Sequence, residues 1–115
     1  MSYNSIPILT LTRTAGGTIA AHRFVTPLAA QAGADANTLG VSRIAAVSGD
    51  KIMVDVLGTA VVEAGAAVAD GASLKADASG RAITWATAGA KVAIALEAAS
   101  AAGQFIEVAL VPNIA

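Results

Sequence analysis

The stretch VVEAGAAVADGASLKADASGRAIT, residues 61–84, constrains the fold more than any other part of the chain. Its alanine content favours a helix, yet Gly65, Gly71 and Gly80 interrupt it. Inside a helix each glycine costs about 1 kcal/mol relative to alanine. The dipeptides Asp70-Gly71 and Ser79-Gly80 are turn formers. The stretch therefore reads as strands lined with very small side chains, and ADASGRA as a loop between SLKA and AITWA, with Lys75 and Arg81 pointing outward.

The rest of the chain follows the same rule. In IPILTLTRT, residues 6–14, Ile8, Leu9 and Leu11 are set against Thr10, Thr12 and Thr14, a period-two pattern typical of a half-buried strand. The AGG turn at 15–17 and TIAAHRFVT predict a hairpin partner, ended by Pro27. Residues 28–38 read as a loop with one helical turn, followed by LGVSRIAAV and the turn SGD. In KIMVDVLGTAVVEAG, Ile52, Val54 and Val56 share one face and Met53, Asp55 and Leu57 the other, with Gly58 as a bulge or bend. KVAIALEAAS and QFIEVALV complete the set, joined through AASAAG by a helical turn ending at Gly103. Eight or nine short strands at near-regular spacing predict an all-β fold, a small barrel or sandwich. Residues 1–7 form an extended N-terminal arm and residues 8–115 a single domain.

Such a core is thin. Of the 115 residues 56% are hydrophobic but only 3% aromatic, so the apolar mass is mostly Ala, Val, Ile and Leu. Alanine adds little to the roughly 1.5–3 kcal/mol that a buried Val or Leu supplies, so further burial is expected from other subunits. Seven scattered Lys and Arg and a net charge of −1 leave no electrostatic footprint for direct nucleic-acid binding. No stretch of 18 residues is apolar without interruption, which argues against a membrane helix. The N-terminus lacks a signal-peptide pattern, and the absence of cysteine fits synthesis in a reducing cytoplasm.

Chemistry is sparse. His22 is the only histidine; no Ser, Asp or Cys pairing can be read for it, and a surface position on a strand face is expected. Zinc would need more His or Cys ligands. Asp50, Asp55, Asp70 and Asp77 lack the spacing of a calcium loop and read as solvated turn residues. AGGTIAAH lacks the lysine of a phosphate loop, and Lys75 in SLKAD lacks the flanking methionines of a carrier-domain lysine. No catalytic residue, metal or cofactor is expected. Phe24, Trp85 and Phe105 read as core or subunit-contact rings, whereas Tyr3 sits in a polar arm suited to ordering on a partner.

A longer pattern runs through these segments: MSYNSIPILTLT, HRFV, LGVSRIAAVSGD, VDVLGTAVVEAGAA, ADGASLKADASGRA and AAGQFIEVALVP. In order and spacing it resembles the capsid cement, or head decoration, proteins of tailed bacteriophages, over nearly the whole chain. The recombinase label that some members of that family carry finds no support here: there is no Walker lysine, no basic surface, and too little chain for an ATPase core. The resemblance implies a small β-barrel or β-tulip-like domain on the outer surface of the mature head. It implies the major capsid protein as partner, a homotrimer, with a dimer as the alternative, and no enzymatic activity. Tyr3, Asn4, Ile6, Pro7, Phe24 and Trp85 are the residues expected at the capsid or subunit interface. Two other readings compete with it. One is a virion-displayed module binding carbohydrate or host surface, which would need exposed aromatics with carboxylates; the other is an enzyme or carrier domain using His22 or Lys75.

Overall fold

A computed structural model describes residues 6–111. Eight strands follow one another: β1 (Pro7–Thr14), β2 (Arg23–Val25), β3 (Gly40–Ser42), β4 (Lys51–Glu63), β5 (Ser73–Ala76), β6 (Ala82–Thr84), β7 (Ala93–Ala95) and β8 (Phe105–Leu110). There is no helix among the described residues. All strand pairs are antiparallel, in the order β2-β3-β4-β8-β7-β5-β6, with β1 on β4 outside this path. The two ends of the path meet where the Phe24 N–H donates to the Gly80 carbonyl at 2.8 Å, just before β6. The result is a nearly closed antiparallel barrel in one domain.

β4 is the spine. Its first half pairs with β1 and β3 and its second half with β8. Between the halves lies Gly58, at φ 98°, a conformation that side chains disfavour. A Cβ there would run into the Ile6 carbonyl oxygen and come within 2.8 Å of the Ile8 nitrogen. The expected bulge is therefore a bend over which the N-terminal strand passes at backbone contact.

The bend hands β4 from one apolar cluster to another. Ile52 and Val54 join Ala15, Ile19, Val25, Ala29 and Ala46 in a small cluster. Ala60, Val62 and Ala64 line the main barrel core with Phe24, Leu74, Ile106, Val108 and others. Alanine supplies nine of the seventeen buried side chains of the main core, so strands pack closely and the bore is narrow. Phe24, wholly buried, is the one large ring within it. Phe24 is thus a core residue and has no surface with which to meet a capsid or a subunit.

Several expectations need correction. β1 does not form a hairpin with β2 but pairs with β4, because Ile19 is drawn into the small cluster beside Ala46 and His22 turns the chain at φ 59°. Residues 28–38 contain no helical turn, since Ala29 and Asp35 have φ of 61° and 62°. Before Gly103 the chain makes a turn rather than a helix. In 39–47 only Gly40–Ser42 is strand. Lys75 does not point freely outward: its side chain is 15% exposed and its Nζ lies 2.7 Å from the Asp35 carboxylate.

Two predictions follow from the bend and the bore. Gly71, also at positive φ but with open space around it, should accept alanine for about 1–2 kcal/mol of backbone strain. Gly58→Ala should cost more, about 3 kcal/mol or above, because strain is joined by collision with Ile6 and Ile8. Urea denaturation of both variants, with amide exchange at Thr59, tests the order. Phe24→Ala should cost about 3–5 kcal/mol, since the small side chains around it cannot refill the space; the same denaturation series measures it.

Candidate interaction surface

β1 places its apolar side chains on the outside. Ile8 is 81% exposed and Leu9 41%, Ile6 just before the strand is 64% exposed, and toward the other end Met53 of β4, opposite Thr12, is 43% exposed. Among the described residues β1 pairs only with β4, so its other backbone edge is open. Edge strands of this kind normally carry charge or bulges that block further pairing. β1 has register shifts between Pro7 and Leu9 and between Leu9 and Thr10, but its one charge, Arg13, lies near the far end. Ile8 and Leu9 thus set apolar area beside the open backbone edge, and Ile6 adds apolar area to it. Ile6 is anchored at its own backbone: its N–H donates to Thr59 Oγ1 at 2.8 Å and its carbonyl accepts the Thr59 N–H at 3.1 Å.

A polar latch holds the middle of β1. Asp55 was expected in solvent, yet it is 1% exposed. Arg43 Nε donates to its two oxygens at 3.0 and 2.9 Å, Arg43 Nη2 lies 2.9 Å from Oδ1, and the Thr10 hydroxyl donates to Oδ1 at 3.0 Å. The hydrogen bonds to Asp55 raise the Arg43 guanidinium above its usual range, against the opposing effect of burial, so it stays charged at any working pH. A buried carboxylate is tolerated because these donors replace water.

A second charge network closes the barrel seam. Glu63 accepts from Arg23 Nη2 at 3.1 Å and from Arg81 Nη1 at 3.5 Å, and Arg23 Nη1 donates to the Ser79 carbonyl at 2.8 Å. Asp77 Oδ1 accepts the N–H groups of Ser79 and Arg81 at 2.8 and 2.9 Å, fixing the turn that carries Gly80. Where strands β2 and β6 share little backbone ladder, side chains make the join.

The remaining expected site residues scatter. Tyr3 and Asn4 lie outside the described residues. Ile6 and Pro7 already pair with β4, Pro7 opposite Gly58. Trp85 is far along the chain on the β6 side, half-buried, with its indole N–H donating to the Gly89 carbonyl at 2.9 Å and Lys91 Nζ 4.4 Å from the ring centroid. One face of that ring is therefore covered by a cation, which speaks against a sugar-stacking platform. His22 is half-buried in the turn before β2, edge-on to Phe105 at 5.3 Å. Among the described residues no three His, Cys, Asp or Glu side chains gather as metal ligands. Ile8, Leu9 and Met53 were not singled out from the sequence. Two adjacent large apolar residues in an alternating strand, Ile8 and Leu9, were the available signal that both faces of β1 carry apolar side chains.

Comparison with known proteins finds a family model and solved structures that match. The family model described as phage cement protein covers residues 4–110. The crystal structure of the head fiber gp8.5 N base of bacteriophage phi29 superimposes with a TM-score of 0.72 at 18% identity, covering 90% of this chain and 94% of that one. At that identity the likeness concerns the fold. No curated protein sequence matches.

The latch yields a prediction. Arg43→Met strands the Asp55 carboxylate with Thr10 as its remaining side-chain donor and should cost about 1–3 kcal/mol. Adding Asp55→Asn should recover most of that loss, because the uncompensated charge goes with it. A double-mutant cycle by thermal unfolding measures the coupling.

Proposed function

The chain belongs to the phage cement protein family, and we propose that within it this protein is a head decoration protein, seated on the outer surface of the mature capsid and stabilising contacts between major capsid protein subunits. The observation that carries this reading is the strip Ile6, Ile8 and Leu9 on the open edge of β1: apolar area and unpaired backbone together on a small domain. Apolar surface of this kind gains about 25 cal/mol per Å² when covered, and an open strand edge can accept a strand from a partner. Residues 1–7, Tyr3 and Asn4 among them, extend the same contact over a neighbouring subunit. The copies assemble as a homotrimer at local threefold axes. The shared fold of the phi29 head fiber base accords with a head-surface position.

The work is done by linkage, without a reaction, a cofactor or direct contact with nucleic acid. A ligand that binds only the expanded shell stabilises that state; one site held at 100 times its dissociation constant contributes about 2.7 kcal/mol. Repeated over a lattice, such terms resist internal pressure. The protein is made in the host bacterial cytoplasm and ends on the virion.

Adding purified protein to expanded heads that lack it should raise their melting temperature, read by calorimetry. Ile8→Asp should remove binding and that increase while leaving the free protein's own unfolding nearly unchanged, because Ile8 makes little contact within its chain. Heads that melt identically with and without the protein would refute the reading.

A further inference from the structure

We propose that β1 is an exchangeable strand, able to leave the β4 of its own chain and pair in the same register with the β4 of a second copy. Four observations point there. First, β1 stands outside the strand path that closes the barrel, so its departure leaves the order β2-β3-β4-β8-β7-β5-β6 intact. Second, no residue from Pro7 to Thr14 belongs to either buried cluster, and only Pro7 and Leu11 are even half-buried; of the exchanging segment Ala15 alone, 2% exposed, enters the small cluster, where a second copy offers the same seat. Third, what holds β1 is a set of contacts that any copy supplies identically. They are the Thr10 hydroxyl on Asp55, Lys51 Nζ on Thr14 Oγ1 at 2.7 Å, Arg13 Nη2 on the Pro27 carbonyl at 2.9 Å, and the ladder itself. Fourth, the strand is followed by Gly16 and Gly17, and the space beside Gly17 is open.

The identity of the occupant follows from the third point. The edge of β4 is complementary to one sequence in one register, Thr12 opposite Met53 and Leu11 opposite Val54, and that sequence is PILTLTRT. A second copy offers it without any new surface having to evolve, which is why exchange of an identical element is a low-cost route to assembly. The hinge lies at residues 16–18, since Ala15 still continues the pairing, its N–H donating to the Asp50 carbonyl and its carbonyl accepting from Gly49; among the described residues the one backbone bond to open within the hinge is that of the Gly16 N–H to the Ala29 carbonyl, at 2.9 Å.

The energetics of the exchange rest on surface outside the ladder. Exchange conserves the β1–β4 contacts, so the balance rests on the entropy of association against whatever surface the joined barrels newly cover. Ile6, Ile8 and Leu9, left uncovered by their own chain, sit on the strand that crosses between the two bodies and are drawn to that junction. Exchange is a property of the free chain, so it can fail while capsid binding stands, and the reverse.

The chain contains no cysteine, which makes a clean test available in the full-length protein. Thr12→Cys and Met53→Cys place thiols opposite each other across β1 and β4. Chains carrying one each, one of them tagged, are mixed at high concentration, refolded together and oxidised. Exchange should give the mixed disulfide at about tenfold the yield of a control pair, Thr12→Cys with Ile94→Cys, as expected of a modest gain in effective concentration. Ile94 serves because it is 42% exposed against 43% for Met53 but lies on β7. A chain carrying both Thr12→Cys and Met53→Cys should form bonds between chains increasingly as concentration rises. Equal yields from test and control pairs, with the doubly substituted chain closing only on itself at every concentration, would overturn the proposal. Capture of the Thr12→Cys strand by capsid subunits on heads, with none among copies, would overturn the second copy as its occupant.

Discussion

The bend of β4 at Gly58 is the constraint from which the rest of the molecule is arranged. One strand of thirteen residues serves two apolar clusters because a glycine at φ 98° lets it turn between them. The same residue admits the backbone of Ile6 to Ile8 at contact distance. A side chain at position 58 would therefore disturb the spine of the barrel and the seat of the N-terminal strand together. The strip of β1 that we connect with capsid binding begins at this point, so the geometry of the candidate surface is tied to the geometry of the core.

Alanine is the second determinant. Small side chains let strands curl into a narrow barrel with a single ring, Phe24, at its centre, and they lose no rotamer freedom on burial. The area they remove from water is modest, however, and the fold supplements it with charge placed at weak points. Arg23, Glu63, Arg81 and Asp77 tie the seam where the barrel nearly closes; Arg43 and Asp55 tie β1 and β4 to the chain that follows β3. A domain with so little core and an uncovered apolar strand is well matched to assembly, in which partners supply the missing burial.

The legible parts of the fold were those decided locally. SLKA and AITWA were read as strands around the ADASGRA loop, and β5 and β6 stand there; Asp70-Gly71 and Ser79-Gly80 mark turns, with both glycines at positive φ. The alternation of Ile52, Val54 and Val56 gave the inner face of β4. Asp55 escaped the same logic, because its partner Arg43 is twelve positions away and nothing in the local pattern distinguishes a paired carboxylate from a solvated one. The partner of β1 was missed for a similar reason: a glycine turn permits a hairpin but does not compel it. Of the residues expected at a contact, Ile6 is exposed and Pro7 half-buried at the start of β1, while Phe24 proved to be core; the exposure of Ile8, Leu9 and Met53 came from the structure.

By itself the sequence determined the all-β class, the glycine turns around Gly71 and Gly80, the point where the longest strand bends, and a thin core built from small residues, since all of these depend on neighbours within a few positions. The tertiary structure alone decided which strands meet, which carboxylate is buried, and which apolar residues are left in solvent. The physical reason is that a period-two pattern states that a strand has an inside and an outside. Only the packing of distant segments, here Ile19 against Ala46 and Ile6 against Gly58, chooses what each side will face.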